Sequence, residues 1–202
     1  GNIGPSTGEM GTAMYWSQEN KIFNNTLKKM EPKLAEEGYV GYIDLNCMVN
    51  AQGIYPLEFT SRFGYPTISI QQEGMITPIG EFFYDIANGI KPKLKTKNGF
   101  QIGIRIVVPP FPFNDQKTFD IYSKDAAIIF KKPNLEGIHI EDVKIVHGEW
   151  LITGTSGVVL IVVGTGPTMK QAQNQAYNRI NNILIPNMYY RKDIGDRWFE
   201  DS

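Results

Sequence analysis

The stretch "YVGYIDLNCMVNAQGIYPLEFT", residues 39–60, decides the fold. Two runs rich in aromatic and branched residues, 39–49 and 54–60, flank "NAQG". That pattern reads as a β-hairpin with Gly53 in the turn. Strand side chains alternate between faces with period two. Glu58 and Thr60 therefore project from one side, together with Arg62 if the strand runs on into "SRFGYP". On the partner strand Asp44, Asn46 and Met48 share a face. A carboxylate, a hydroxyl and a guanidinium on one side of an otherwise apolar run ask for a ligand.

Upstream, Ser17 is a fair N-cap for a helix over about 18–37. Its apolar face is Phe23, Leu27, Met30 and Leu34, with Pro32 as a kink or division and Gly38 as the stop. Downstream, residues 77–89 read as a short helix, and the lysine-bearing "IKPKLKTKNG" (90–99) reads as a solvated turn. Then the texture changes. "FQIGIRIVV" (100–108) is a strand, broken by "PPFPFND". "DAAIIF", "VKIVH", "WLITG" and "GVVLIVVG" are further short strands. "PTMKQAQNQAYNRINNIL" is a helix, with Thr168 and Gln171 as a capping-box signature. Its buried face is Met169, Ala172, Ala176, Ile180 and Ile183. Strands followed by one amphipathic helix indicate an α+β unit, and the division is expected at 1–95 and 96–202.

The 202 residues are 42% hydrophobic and 20% charged, an ordinary globular composition. Lys+Arg 20 against Asp+Glu 21 gives a net charge of −1, which points to neither nucleic acid nor an anionic membrane. No apolar run approaches the roughly 20 residues that span a bilayer. Cys47 has no second cysteine to pair with, as in a reducing, cytoplasmic compartment. Two histidines and one cysteine, far apart, exclude a Cys/His zinc cluster. The opening "GNIGPSTGEMG" does not read as a signal peptide. "GPSTGEMG" reads as the middle of a functional loop, so a C-terminal piece of a longer protein is expected, with Gly1 a remnant of tag cleavage.

These residues resemble a known family. "GPSTGEMG" (4–11) is similar to the "GPNTGGMG" loop of the phosphoribosylamine–glycine ligases, also called glycinamide ribonucleotide synthetases. "GYIDLNCMVNAQGIYPLEFTSRFGYP" (41–66) resembles their "GVLYAGLM…DG…VLEFNxRFGDPE". "GVVLIVVGTGPTMKQAQNQAY" is similar to "GRVLGVTALGDTLEEAxxxAY", and "YYRKDIG" (189–195) to "YYRRDIG". The resemblance covers nearly the whole chain. It implies the C-terminal half of an ATP-grasp module, an antiparallel sheet with helices, followed by a small α+β domain. It further implies an ATP-dependent ligase joining glycine to phosphoribosylamine in purine biosynthesis through glycyl phosphate. ATP and Mg (or Mn) would be its cofactors. The missing N-terminal part of the same enzyme would be its partner, and the piece alone would be inactive.

Carried over residue by residue, Glu58 matches the glutamate of "EFN" that holds metal in this family, and Thr60 stands in place of its asparagine. Magnesium takes hard oxygen ligands, commonly one or two carboxylates beside phosphate oxygens and water. Asn46, with Asp44, is expected to restore the oxygen that Thr60 lacks. Met48 matches an apolar side chain under adenine, or is plain core packing. Arg62 matches the family arginine, either neutralising a transferring phosphoryl group or making a structural ion pair. Ser6, Thr7, Gly8 and Gly11 form the implied substrate loop, in which Glu9 replaces a glycine. His147 aligns with a family histidine, and Arg191 and Asp193 read as a tail-anchoring pair. Tyr65 and Thr67 replace two carboxylates of "DPE", which motivates two alternatives: a ligase with a changed acceptor, or a non-catalytic module that kept the fold.

Overall fold

The computed structural model describes residues 4, 5, 7 and 10–200. A short strand, β1 (Gly11–Met14), comes first. Helical turns follow as α1 (Lys21–Asn25), a 3-10 turn at Leu27–Met30, and α2 (Glu31–Glu36). The single helix expected over 18–37 is therefore three pieces. Thr26, at φ −125° and ψ −96°, lies outside the helical region and ends the first. Pro32 sits in the first turn of α2, where its missing N–H costs nothing. The cap is Asn20, not Ser17: its Oδ1 accepts from the Phe23 N–H at 3.0 Å.

The hairpin is β2 (Asp44–Asn50) and β3 (Gly53–Thr60). Asn50 Oδ1 accepts from the N–H groups of Gln52 and Gly53, at 2.9 and 3.1 Å, which closes the turn. Two helices, α3 (Thr67–Glu73) and α4 (Ile79–Ala87), come next. Then follow β4 (Phe100–Val107), α5 (Gln116–Tyr122), β5 (Ile129–Phe130) and β6 (Ile138–Ile140). A second hairpin is β7 (Val143–Val146) with β8 (Glu149–Ile152). The chain closes with β9 (Val158–Gly166), α6 (Met169–Ile180), β10 (Ile183–Leu184) and α7 (Arg197–Glu200). Ile183 is buried as expected, but from β10 rather than from the helix.

Mixed helices and antiparallel sheet make the fold α+β. The described chain forms two compact units. One, here the sheet unit, takes in the stretch up to Tyr15, Ser69–Gly74, and the chain from Asn98 onward. The other, the hairpin unit, is Trp16–Ile68 with Met75–Lys97. A single division at 95/96 does not capture this interleaving. β1 pairs with β4, Thr12 opposite Gly103, and Ile70 packs with Ile161 and Val163.

The sheet unit holds an antiparallel sheet in the order β1-β4-β9-β6. Alternation divides β4 and β9 between two faces. Ile102, Ile104, Ile106, Leu160 and Val162 pack with Met169, Ala172, Ala176 and Ile180 of α6, all fully or nearly buried. Each of the Ile, Leu, Val and Met side chains among them stabilises by about 1.5–3 kcal/mol on burial. A Cβ on Gly164 would stand 2.3 Å from both Ala172 O and Ala176 N, so the bare backbone lets α6 lie close on the sheet. Thr168 Oγ1 accepts from the Gln171 N–H at 3.3 Å and donates to its Oε1 at 2.8 Å, capping the helix.

Candidate functional site

In the hairpin unit, β2 and β3 place their polar groups as two cross-strand pairs. Asp44 lies opposite Thr60, and Asn46 opposite Glu58. Opposed residues of an antiparallel pair share a face. Asn46 Nδ2 donates to Glu58 Oε1 at 3.3 Å, so the amide steadies the carboxylate. Glu58 and Asn46 are exposed, whereas Asp44 and Thr60 are half-buried. The Oδ1 atom of Asp44 is buried with no hydrogen-bond partner among the described residues.

Beyond Asn46 the register shifts by one: Cys47 faces Pro56, and Leu57 is the extra residue of β3. The shift sets Tyr55 opposite Met48, and the two are 49% and 58% exposed. Core packing does not account for Met48. It forms with Tyr55 an apolar step beside the polar pairs.

Arg62 lies outside this array, because β3 ends at Thr60. Its Nη1 donates to Phe63 O at 3.0 Å and its side chain is exposed, so the structural ion pair is absent among the described residues. The segment is pinned by Phe63, whose ring centroid is 4.9 Å from those of both Tyr42 and Phe83.

Of the expected substrate loop, Ser6 and Gly8 lie outside the described residues. Thr7 is half-buried, and Gly11 begins β1 opposite Ile104. A Cβ on Gly11 would lie 2.7 Å from Gly103 O and from Ile194 Cγ1, so its bareness serves packing within the sheet unit.

The sheet unit carries charged pairs that sequence reasoning missed. Arg105 and His139 both lie opposite Ile161, on either side of β9. His139 Nε2 stands 3.0 Å from Glu73 Oε1, and Arg105 Nε 3.7 Å from Glu141 Oε1. His139 could have been found only from β6, whose three residues carry little periodicity. His147, by contrast, is exposed in the β7–β8 turn at φ 51°. Arg191 Nε donates to Asp193 Oδ1 at 2.8 Å, the pair expected near the C-terminus. The guanidinium holds the Asp193 carboxyl down at about 2. Burial raises the Tyr177 phenol to about 12, and its oxygen donates to Arg191 O at 3.0 Å.

Residues 112–197 match the family profile of the phosphoribosylglycinamide synthetase C domain. The chain resembles the C-terminal part of a phosphoribosylamine–glycine ligase. The ligase of Streptococcus pneumoniae is 24% identical over 205 residues, covering 98% of this chain and 47% of its own length. The crystal structure of the Thermotoga maritima phosphoribosylamine–glycine ligase superposes with a TM-score of 0.73 at 24% identity, over 96% of this chain and 48% of that one. The biotin carboxylase domain of Hydrogenobacter thermophilus 2-oxoglutarate carboxylase, solved with MgADP and bicarbonate, gives 0.56 at 15% identity, over 91% and 44%. The chain thus spans about half the length of the phosphoribosylamine–glycine ligases it matches. These likenesses establish an ATP-grasp-type α+β fold.

The hairpin donors suit a magnesium ion in part. Among the described residues no three His, Cys, Asp or Glu side chains gather into a cage. Asp44, Asn46, Glu58 and Thr60 each offer a hard oxygen, and Asp44 Oδ1 lacks a hydrogen-bond partner among the described residues. That donor set fits an ion whose remaining ligands are phosphate oxygens and water.

Proposed function

We propose that the chain is the C-terminal half of an ATP-dependent ligase that joins glycine to phosphoribosylamine in the cytoplasm, in purine biosynthesis. The observation that carries this reading is the Asn46–Glu58 cross-strand pair with Asp44–Thr60 beside it. In the reaction, a glycine carboxylate oxygen attacks the γ-phosphorus of ATP and the bridging P–O bond to ADP breaks. The amine nitrogen of phosphoribosylamine then attacks the acyl carbon of glycyl phosphate. Phosphate leaves and the nitrogen loses a proton.

Glu58 and Asn46, with Asp44 and Thr60, would hold magnesium, which supplies charge neutralisation at the ATP phosphates. Met48 and Tyr55 offer an apolar bed for the adenine ring. Arg62 has given one N–H to Phe63 O, and the rest of its fork is available to an anion. Thr7 and Gly11, with Ser6 and Gly8, form the substrate loop of this reading. In this reading Asn46, held beside Glu58 by its Nδ2–H bond, would bring its own Oδ1 to the ion in place of the asparagine that position 60 lacks.

ADP release by the full-length protein tests the proposal. It should require glycine and phosphoribosylamine together, and Glu58→Gln should abolish it. One second reading has a specific motive. Thr60, Tyr65 and Thr67 depart from the ligase pattern on and just after β3, which favours a ligase with another amine acceptor. Activity with a different amine and none with phosphoribosylamine would establish that alternative and overturn the first.

A further inference from the structure

A cleft of about 610 Å³ opens in the sheet unit between the outer face of α6 and the loop from β5 to β6. Its volume is that of a small-molecule site. Seven of its twelve lining side chains are carboxamides, which distinguishes it from an ordinary charged helix surface. Gln171, Asn174 and Asn178 stand at helical spacings of three and four and so share one face of α6.

The walls are tied together by bonds that need no ligand. Asn182 clamps the loop: its Oδ1 accepts from the Lys132 N–H at 2.8 Å, and its Nδ2 donates to Lys132 O at 3.0 Å. The Lys131 ammonium donates to Asn181 O at 2.5 Å. Arg179 pairs with Glu136 at 2.6 Å and donates to Val163 O, so both groups are engaged in structure. The carboxamides of Asn174 and Asn178 and the ammonium of Lys132 have no partner among the described residues.

Each carboxamide offers both donors and an acceptor without charge, the complement of adjacent hydroxyl groups. The Lys132 ammonium complements a phosphate, and three cations against one carboxylate make the lining net positive. We propose that this cleft binds a small phosphorylated polyol, with Asn174, Asn178 and Gln171 on its hydroxyls and Lys132 on its phosphate. The site lies wholly within the sheet unit and does not depend on the ligase reading. A free sugar phosphate and the ribose phosphate of a nucleotide share this chemistry.

Calorimetric titration of the full-length protein tests it, with the Asn and Gln side-chain amide resonances followed in parallel. The probes are glucose 6-phosphate, AMP, glucose and inorganic phosphate. Saturable binding of glucose 6-phosphate or AMP is expected, with the Asn174 and Asn178 amides shifting. Preference between those two identifies the source. Glucose and phosphate alone should bind about tenfold more weakly or worse. Lys132→Ala should weaken the phosphorylated probe by about tenfold and leave glucose unchanged, whereas Asn178→Ala should weaken both. Both positions are exposed, so the fold should persist. Inorganic phosphate binding as tightly as glucose 6-phosphate would overturn the proposal. So would the absence of saturable binding by every probe up to about 10 mM, or affinities unchanged in both variants.

Discussion

Glu58 owes its position to simple alternation, and its partner to the turn that sets Asn46 opposite. In the full-length protein, Glu58→Gln should weaken Mn(II) binding, read by its paramagnetic resonance, by about tenfold or more. Asn46→Ala should weaken it by less, since the amide also serves to orient Glu58. An unchanged Mn(II) affinity in both variants would remove these residues from the metal site. At the other end of the chain, the Arg191–Asp193 pair makes a prediction in pH. An unfolded aspartate titrates near about 3.9. Asp193 titrates near 2 when folded, so its contribution is complete above the unfolded value and is lost as pH falls through the folded one. With side chains 36% and 30% exposed, solvent holds that contribution to below about 1 kcal/mol. The stability gap between the native chain and Asp193→Asn should accordingly shrink between about pH 5 and pH 2. Alternation made Glu58 and Asn46 readable from sequence. It misled at Arg62, because nothing local announces that pairing stops at Thr60, and it could not foresee the extra residue Leu57 that turns Tyr55 toward Met48.

Among the elements, α6 was the most legible, since cap, period and buried face all agree there. Thr168→Ala removes the cap and should cost about 1 kcal/mol in urea unfolding. Gly164→Ala should cost more, about 1–3 kcal/mol, because the new methyl meets helix backbone that can retreat only by lifting α6 from the sheet. A Gly164→Ala protein as stable as the native one would mean that α6 lies farther off than described. The helix expected over 18–37 failed for a local reason. Its apolar spacing is helical, but Thr26 leaves the helical region and its Oγ1 turns back to Ile22 O at 2.6 Å. β1, β6 and α3 were unreadable for the opposite reason. Each is too short to show a period, and strands so short exist because a partner strand lies beside them.

At the scale of the molecule, α+β was readable from the succession of strands and one long amphipathic helix, but the interleaving of the units was not. Pairings such as Met14 with Gln101 join residues far apart in sequence, and no local pattern records them. The units also differ in how they are held. Among the described residues, the buried Ile, Val, Leu, Phe, Met and Ala side chains of the core all lie in the sheet unit, while Met48, Val49, Tyr55, Leu57 and Phe59 of the hairpin unit are exposed. Amide hydrogen exchange on the 202-residue chain should therefore be fast in β2 and β3 and slow in β4 and β9. Equal protection in the two would contradict it. The place of β1 has a practical consequence. A chain cut just before Asn98, where the last long stretch of the sheet unit begins, would lose the strand that occupies β4's outer side. The four residues that β1 covers, Gln101–Ile104, would then offer open main-chain donors and acceptors to any neighbouring molecule. Gly11–Met14 thus act as a guard against self-association for β4, and a truncation that looks clean on paper should aggregate.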